Sequence, residues 1–253
     1  MIPVEETYIF ELTDEVREKI AQAKDKPALI DEAELADLQY VEIRNGYPIL
    51  KRMLDIAIAF FALLVLALPM FLIAIAIKID DPGTVLFSQK RVGRDGRRFR
   101  FYKFRTMRED TPKYLSTSEL ENPDQYITRL GKFLRKSSLD ELPQLLNVLK
   151  GDMSLVGPRP LISDEFEIHR MRMRYGVYNV RPGVTGLAQI NGRDMISPAE
   201  KVRWDVKYLE HFGFAQDAKI LFGTIPKVFG ASGVAEGYNT KTEEDKEEAA
   251  NDA

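Results

Sequence analysis

The chain has no cysteine, so a disulfide framework and a thiolate metal site are both excluded, and a reducing compartment is permitted. Histidine is nearly absent. His169 and His211 lie far apart, which argues against a His-based metal centre or a His-containing triad. There is no GxGxxG and no P-loop, so neither a Rossmann nor a Walker phosphate cradle is expected. No Asp-x-Asp pair occurs either, which removes the simplest metal–diphosphate signature of a soluble nucleotide-sugar glycosyltransferase. Internal repeats are lacking. Net charge is only −3 over 253 residues, and no nucleic-acid partner is expected.

That small net charge conceals acidic ends around a basic middle. Residues 1–50 read as an acidic soluble extension, with a strand at Thr7–Leu12 and helical pieces at Asp14–Ala23 and Ile30–Ile43. Lys51-Arg52 then opens a nearly uninterrupted apolar stretch, of which Ile56–Ile77 is 22 residues without a charge. At about 1.5 Å per residue this is long enough to cross a hydrocarbon core. Yet Lys51 and Arg52 precede it, and a run of lysines and arginines from Lys90 to Arg108 follows. The positive-inside rule draws both flanks to the cytoplasm, and one crossing cannot satisfy both. Pro69 sits mid-run, where its missing N–H permits a bend. A helix over 51–79 that enters, breaks at Pro69 and returns to the same face accommodates both facts.

After the apolar run, VLFSQKR and FRFYKFR flank Gly93-Arg94-Asp95-Gly96, the pattern of a β-hairpin. Its basic side chains suit an anionic lipid surface. Lys103 and Arg105 are also candidates to hold substrate phosphates. Glu109–Tyr126, with two prolines, reads as a loop, and Tyr126–Arg135 as a short amphipathic helix.

The most informative stretch is Ser137–Pro160, SSLDELPQLLNVLKGDMSLVGPRP. Asp140 and Glu141 stand side by side. Leu142, Leu145, Leu146 and Leu149 follow at helical spacing, and Gly151 is placed to stop the helix. Two readings are open. Ser138-Leu139-Asp140-Glu141 fits a capping box, in which the acids merely complement a helix dipole. Pro143 counts slightly against that register, since it would remove an interior N–H, and favours Asp140 as N-cap. On the functional reading, one carboxylate faces a reacting atom and the other a metal, with Arg135 before them and Arg159 in the Gly157-Pro158-Arg159-Pro160 turn after them. Downstream, Asp164–Tyr175 reads as a helix. Arg181–Gly186 is a turn-rich segment with glycines for close approach to a ligand, and Ser197-Pro198 starts a helix running to about His211. Phe214–Phe229 mixes apolar residues with lysines, as an interfacial helix does, and 236–253 is an acidic tail expected to be disordered.

A carboxylate pair, several cations and a membrane anchor suggest chemistry on a phosphorylated lipid. A carboxylate can attack phosphorus, and hard oxygen ligands with phosphate suit Mg²⁺. In these blocks the chain resembles the bacterial sugar transferase family, the monotopic phosphoglycosyl transferases acting on polyprenol phosphate. The resemblance runs from about Lys51 to Gly237. It is carried by Lys51-Arg52-Met53-Leu54-Asp55, Tyr102 to Met107, Ser138 to Gln144, Asn147 to Pro160, and Arg181 to Gly186 with Asn191-Gly192-Arg193. It implies Asp140 as nucleophile and Glu141 as Mg²⁺ ligand, and Arg135 and Lys103 as phosphate holders. It places Arg159 near the site, between the matching Pro158 and Pro160. It also implies the re-entrant helix, although Leu68 stands where relatives often carry serine, so the bend relies on Pro69.

The fold expected is α+β and mostly helical: a re-entrant membrane helix, a small β-hairpin and interfacial amphipathic helices around the carboxylate pair. Its divisions are an extension over 1–50, a catalytic unit over 51–235 and the tail. The reaction implied moves a sugar 1-phosphate from a nucleotide diphosphate sugar, a UDP-sugar, to undecaprenyl phosphate. It would run on the cytoplasmic face of a bacterial inner membrane and begin surface polysaccharide synthesis. Homo-oligomerisation is left open. Two rivals use the same features. A membrane-peripheral scaffold needs the charges but has no use for Asp140-Glu141 beside Arg135. Direct glycosyl transfer would release the whole nucleoside diphosphate.

Overall fold

A computed structural model describes residues 30–111, 123–163, 165–192 and 196–230. The strand and helix expected within 1–29, most of the 109–126 loop and the acidic tail lie outside these residues. Helix α1, Tyr47–Asp80, is 34 residues long and continues through Pro69. It starts four residues earlier than the charges suggest, because Pro48 is well placed in a first turn, where no N–H partner is needed. The expected break at Pro69 is not an interruption. The proline removes one backbone bond, and the helix continues on both sides of it.

Two opposed faces define α1. Ala59, Leu63, Leu66, Met70, Ile73 and Ile77, spaced alternately by four and three, pack on the rest of the protein. Phe60, Phe61, Leu64, Val65, Leu68 and Phe71 on the other side are exposed. Among the described residues this is the one helix long and apolar enough to cross a membrane. Both its ends are tied to a single body. At the start, Arg52 donates to the carbonyls of Val148 and Leu149, and Asp55 accepts from the Leu155 N–H at 3.1 Å. At the end, Ile77 packs with Phe104 and Leu134, and Asp81 pairs with Arg105 at 2.6 Å.

The hairpin forms as the sequence suggests. Strands β1 (Leu86–Val92) and β2 (Arg98–Phe104) pair antiparallel, with Val92 opposite Arg98, around a turn in which Asp95 takes φ 56°. Helix α2 (Arg129–Lys136) is capped by Thr128, whose hydroxyl accepts from Gly131 N–H. It lies so close to the chain after β2 that a Cβ on Gly131 would come within 2.0 Å of the Thr106 carbonyl oxygen. Helix α3 (Gln144–Lys150) ends at Gly151, φ 92°, whose N–H returns to Asn147 and Val148. The buried carboxamide of Asn147 accepts from Tyr102 N–H at 3.1 Å and donates to Arg100 O at 2.7 Å, stitching α3 to β2.

Strand β3 (Ser154–Val156) runs parallel to β4 (Gly183–Thr185), and the short helix α5 (Leu187–Ile190) follows. The segment read as turns thus contains a strand, three residues long and begun by glycine, too short a run to be recognised. Its glycines approach backbone rather than ligand: a Cβ on Gly183 would sit 2.1 Å from Gly157 N, and one on Gly186 2.1 Å from Gly157 O. Helix α4 (Phe166–Arg174) and helix α6 (Pro198–Glu210) pack together, the latter opening with the full Ser197/Glu200 capping box. Ile30 and Leu35 bury beside them, and Arg203 holds Asp37 at 2.6 Å, so residues 30–46 share the core of this body. Helix α7 (Phe214–Gly230) leaves Phe214, Phe222 and Ile225 exposed, as an interfacial helix would.

Candidate active site

Asp140 and Glu141 lie on a single 3₁₀ turn, Leu139–Glu141, between α2 and α3. The capping-box reading fails here. Ser138 sits in the left-handed region at φ 55° and its side chain caps nothing, while Pro143, φ −62°, is itself the residue preceding α3. The carboxylates therefore stand one turn ahead of the α-helix rather than within its first turn. Proline fixes that register: at the N-cap position it ends the 3₁₀ turn and starts α3 without forfeiting a helical bond. Strand β2 and helix α2 both pack against the turn.

Glu141 forms one wall of an open cleft of about 150 Å³. Arg159 of the GPRP turn reaches it with Nη1 3.2 Å from Oε1, a pair left partly accessible. Ser138 completes this polar wall. Thr185, Gln189 and Thr224 supply the other polar groups, the two threonine hydroxyls lying 2.8 Å apart, and leucine, valine and isoleucine fill the space between. Asp140 is only 6% exposed and does not line the cleft.

The GPRP turn is rigidly backed. Gly157 N–H donates to Thr185 O and Gly183 N–H donates to Pro158 O, both at 2.9 Å. Arg172 donates to the Arg159 carbonyl at 2.8 Å and pairs with the fully buried Asp205 at 2.6 Å. Burial pushes the Asp205 carboxyl up, against the pull of Arg172, and pushes the buried Tyr178 phenol up to about 12. His169 Nε2 lies 2.7 Å from Ile162 O and must carry the proton there.

The other expected cations are placed differently. Arg135 is buried, its Nε donating to Thr106 Oγ1 at 2.9 Å. Lys103 holds its ammonium 5.3 Å from the centre of the Phe87 ring, its cross-strand partner. Arg105 is occupied by Asp81 at 2.6 Å and Glu109 at 2.9 Å, closing the loop after α1. None of these three lines the cleft. So the structure brings Glu141 and Arg159 together, sets Asp140 next to Glu141 on one turn, and keeps Lys103 on β2, Arg105 just after it and Arg135 on α2, outside the cleft lining. Gln189, Thr185 and Thr224 were not picked out from the sequence, since a glutamine and two threonines carry no spacing signal.

The sequence profile of the bacterial sugar transferase family matches residues 46–231. The chain belongs to the bacterial sugar transferase family. It is 40% identical over 201 residues to the exopolysaccharide production protein ExoY of Sinorhizobium fredii, covering 74% of this chain and 88% of that one. It is 37% identical over 234 residues to a UDP-glucose:undecaprenyl-phosphate glucose-1-phosphate transferase of Caulobacter vibrioides, covering 86% and 85%. A protein of the same description from Escherichia coli is 40% identical over 188 residues, 72% of this chain but 40% of its own length. The sugar transferase is thus an enzyme of the phosphoglycosyl transferase class, with a membrane-associated helix.

Proposed function

We propose that this sugar transferase moves a hexose 1-phosphate from a UDP-sugar to undecaprenyl phosphate, releasing UMP. The observation that carries the reading is the Glu141–Arg159 pair lining an open cleft, with Glu141 on the same turn as Asp140, in a chain whose relatives are named for this transfer. A guanidinium that can turn from a carboxylate to a diphosphate offers planar, bidentate recognition.

The Asp140 carboxylate attacks the phosphorus bonded to the sugar. A new P–O bond forms to Asp140, the P–O bond to the UMP oxygen breaks, and UMP departs with that electron pair. An oxygen of undecaprenyl phosphate then attacks the same phosphorus, forming the lipid diphosphate and returning the carboxylate. Because Asp140 is buried beside the cleft, its side chain must turn toward the Glu141 wall when the donor binds. Arg159 orients and neutralises the diphosphate meanwhile.

Among the described residues no cluster of three acidic, histidine or cysteine side chains stands ready for a metal. That donor set still fits Mg²⁺, which commonly takes one or two carboxylates with the rest of its shell from substrate phosphate and water. Glu141 is the residue to hold it. When bound, the ion neutralises diphosphate charge.

The helix is read as re-entrant, with both flanks on the cytoplasmic face. Two features support this. Its ends are pinned to one body, and one stripe of α1 packs on that body along its length. A crossing would put the two ends on opposite faces of the bilayer, whereas one body holds both. The test of the reaction is nucleotide release: with UDP-glucose, UDP-galactose and undecaprenyl phosphate, UMP is expected. Release of UDP instead would identify direct glycosyl transfer and overturn the proposal.

A further inference from the structure

Gln189 is 8% exposed and lines the cleft, yet neither its Nε2 nor its Oε1 has a hydrogen-bond partner. Among the described residues it is the sole carboxamide with both ends unsatisfied. A buried amide left this way costs stability, so one that lines a cleft with both ends open calls for a partner there, and a polar ligand would supply it. The backbone makes room for it: a Cβ on Gly186 would lie 2.5 Å from Gln189 Oε1. The side chain is thus held against the β4–α5 junction, lining the same cleft as Glu141 and Arg159.

We infer that Gln189 is a specificity-determining residue that reads hydroxyl groups of the transferred hexose, its Oε1 accepting from one and its Nε2 donating to a neighbour. This deepens the proposed reaction and rests on it. Charge assigns the diphosphate to Arg159 beside Glu141, so the uncharged part of the donor is left for the neutral polar groups of the cleft, Thr185, Gln189 and Thr224. No aromatic side chain lines the cleft, which leaves a nucleobase without a stacking platform. A neighbouring donor and acceptor suit the vicinal hydroxyls of a pyranose. A site of this kind discriminates strongly, because a sugar lacking the matching hydroxyl leaves the amide unpaired again.

The test is Gln189→Met in the full chain, which keeps the length of the side chain and removes both polar atoms. UDP-glucose, its galacto epimer and a series of monodeoxy analogues are compared by kcat/KM for UMP release, and by calorimetric binding, which needs no turnover. Wild type should lose roughly tenfold on at least one analogue, the variant should be indifferent to that same change, and its Tm should hold or rise. UMP inhibition should be unchanged. The inference is overturned if selectivity across the series is the same in both proteins, if Tm falls with selectivity intact, or if UMP binding weakens as much as sugar-nucleotide binding. UMP release by wild type with unaltered selectivity in the variant would sink the role of Gln189 alone. Absence of UMP release from wild type would sink the reaction, and the binding series would still decide the residue.

Discussion

The ammonium of Lys51 lies 2.5 Å from the carboxylate of Asp217, both buried, joining the first turns of α1 to the first turn of α7. Tyr47 and Tyr208 donate to the same carboxylate at 2.7 and 2.9 Å, and burial beside that charge holds the Tyr208 phenol well above its usual range. Removing one partner strands the other. Lys51→Met should cost about 3–5 kcal/mol, whereas Lys51→Met with Asp217→Leu should recover much of it. Thermal unfolding in nanodiscs measures both. A loss in the double variant equal to the sum of the Lys51→Met and Asp217→Leu losses would show that the pair is not coupled.

Topology can be read by thiol labelling, because the chain has no cysteine of its own. Arg44 and Pro82 flank α1 and are exposed. Cysteines at both positions should resist an impermeant reagent in intact spheroplasts and react together after lysis. Reaction of one alone in intact cells identifies a crossing helix.

The two carboxylates should fail differently. Asp140→Asn is expected to abolish turnover, since an amide is a poor nucleophile, and Glu141→Gln to slow it by about two or three orders of magnitude through weakened phosphate and cation handling. Incubation with sugar-labelled UDP-glucose and no lipid should leave label on the protein, on the peptide carrying residue 140, with parallel double-reciprocal plots. Because Glu141 lines the cleft and Asp140 does not, label on residue 141 would reverse their roles.

Arg172 and Asp205 yield a pH signature. The Asp205 carboxyl is raised above its unfolded value by burial, and Arg172, ahead of Lys201, opposes that. A raised acid binds its proton more tightly when folded, so its contribution is full at low pH and is lost as pH climbs through the folded value. Arg172→Met should therefore be destabilised at pH 8 and regain Tm as pH falls toward 5, and adding Asp205→Asn should flatten that slope. The single variant should also weaken catalysis, because Arg172 holds the Arg159 carbonyl.

Elements with strong local signals were legible in the sequence. The apolar run, the aromatic strands around Gly93–Gly96 and the Ser197-Pro198 start of α6 each declare themselves within a few residues. What escaped depends on partners remote in the chain. Nothing near Arg105 foretells that Asp81, 24 residues back, will occupy it, and nothing in Arg181–Gly186 says that its glycines meet Gly157. The Asp140-Glu141 pair was recognisable as chemistry, but not its 3₁₀ geometry, since Ser138 fits one ordinary helix start and Asp140 with Pro143 fits another. Gln189 gave no sign, because an unpaired amide becomes visible only once its surroundings are built.

The carboxamide of Asn147 has its bonds satisfied only when β2 and α3 are assembled together. The hairpin is therefore not a portable module, although it looks like one in sequence. A chimera cut between Phe104 and Asn147 would pair one parent's strand with another parent's helix and risk orphaning that amide in the core. Exchanges between relatives should move 86–152 as one block, so that the strand, the carboxylate turn and the helix behind it travel with the side chain that binds them.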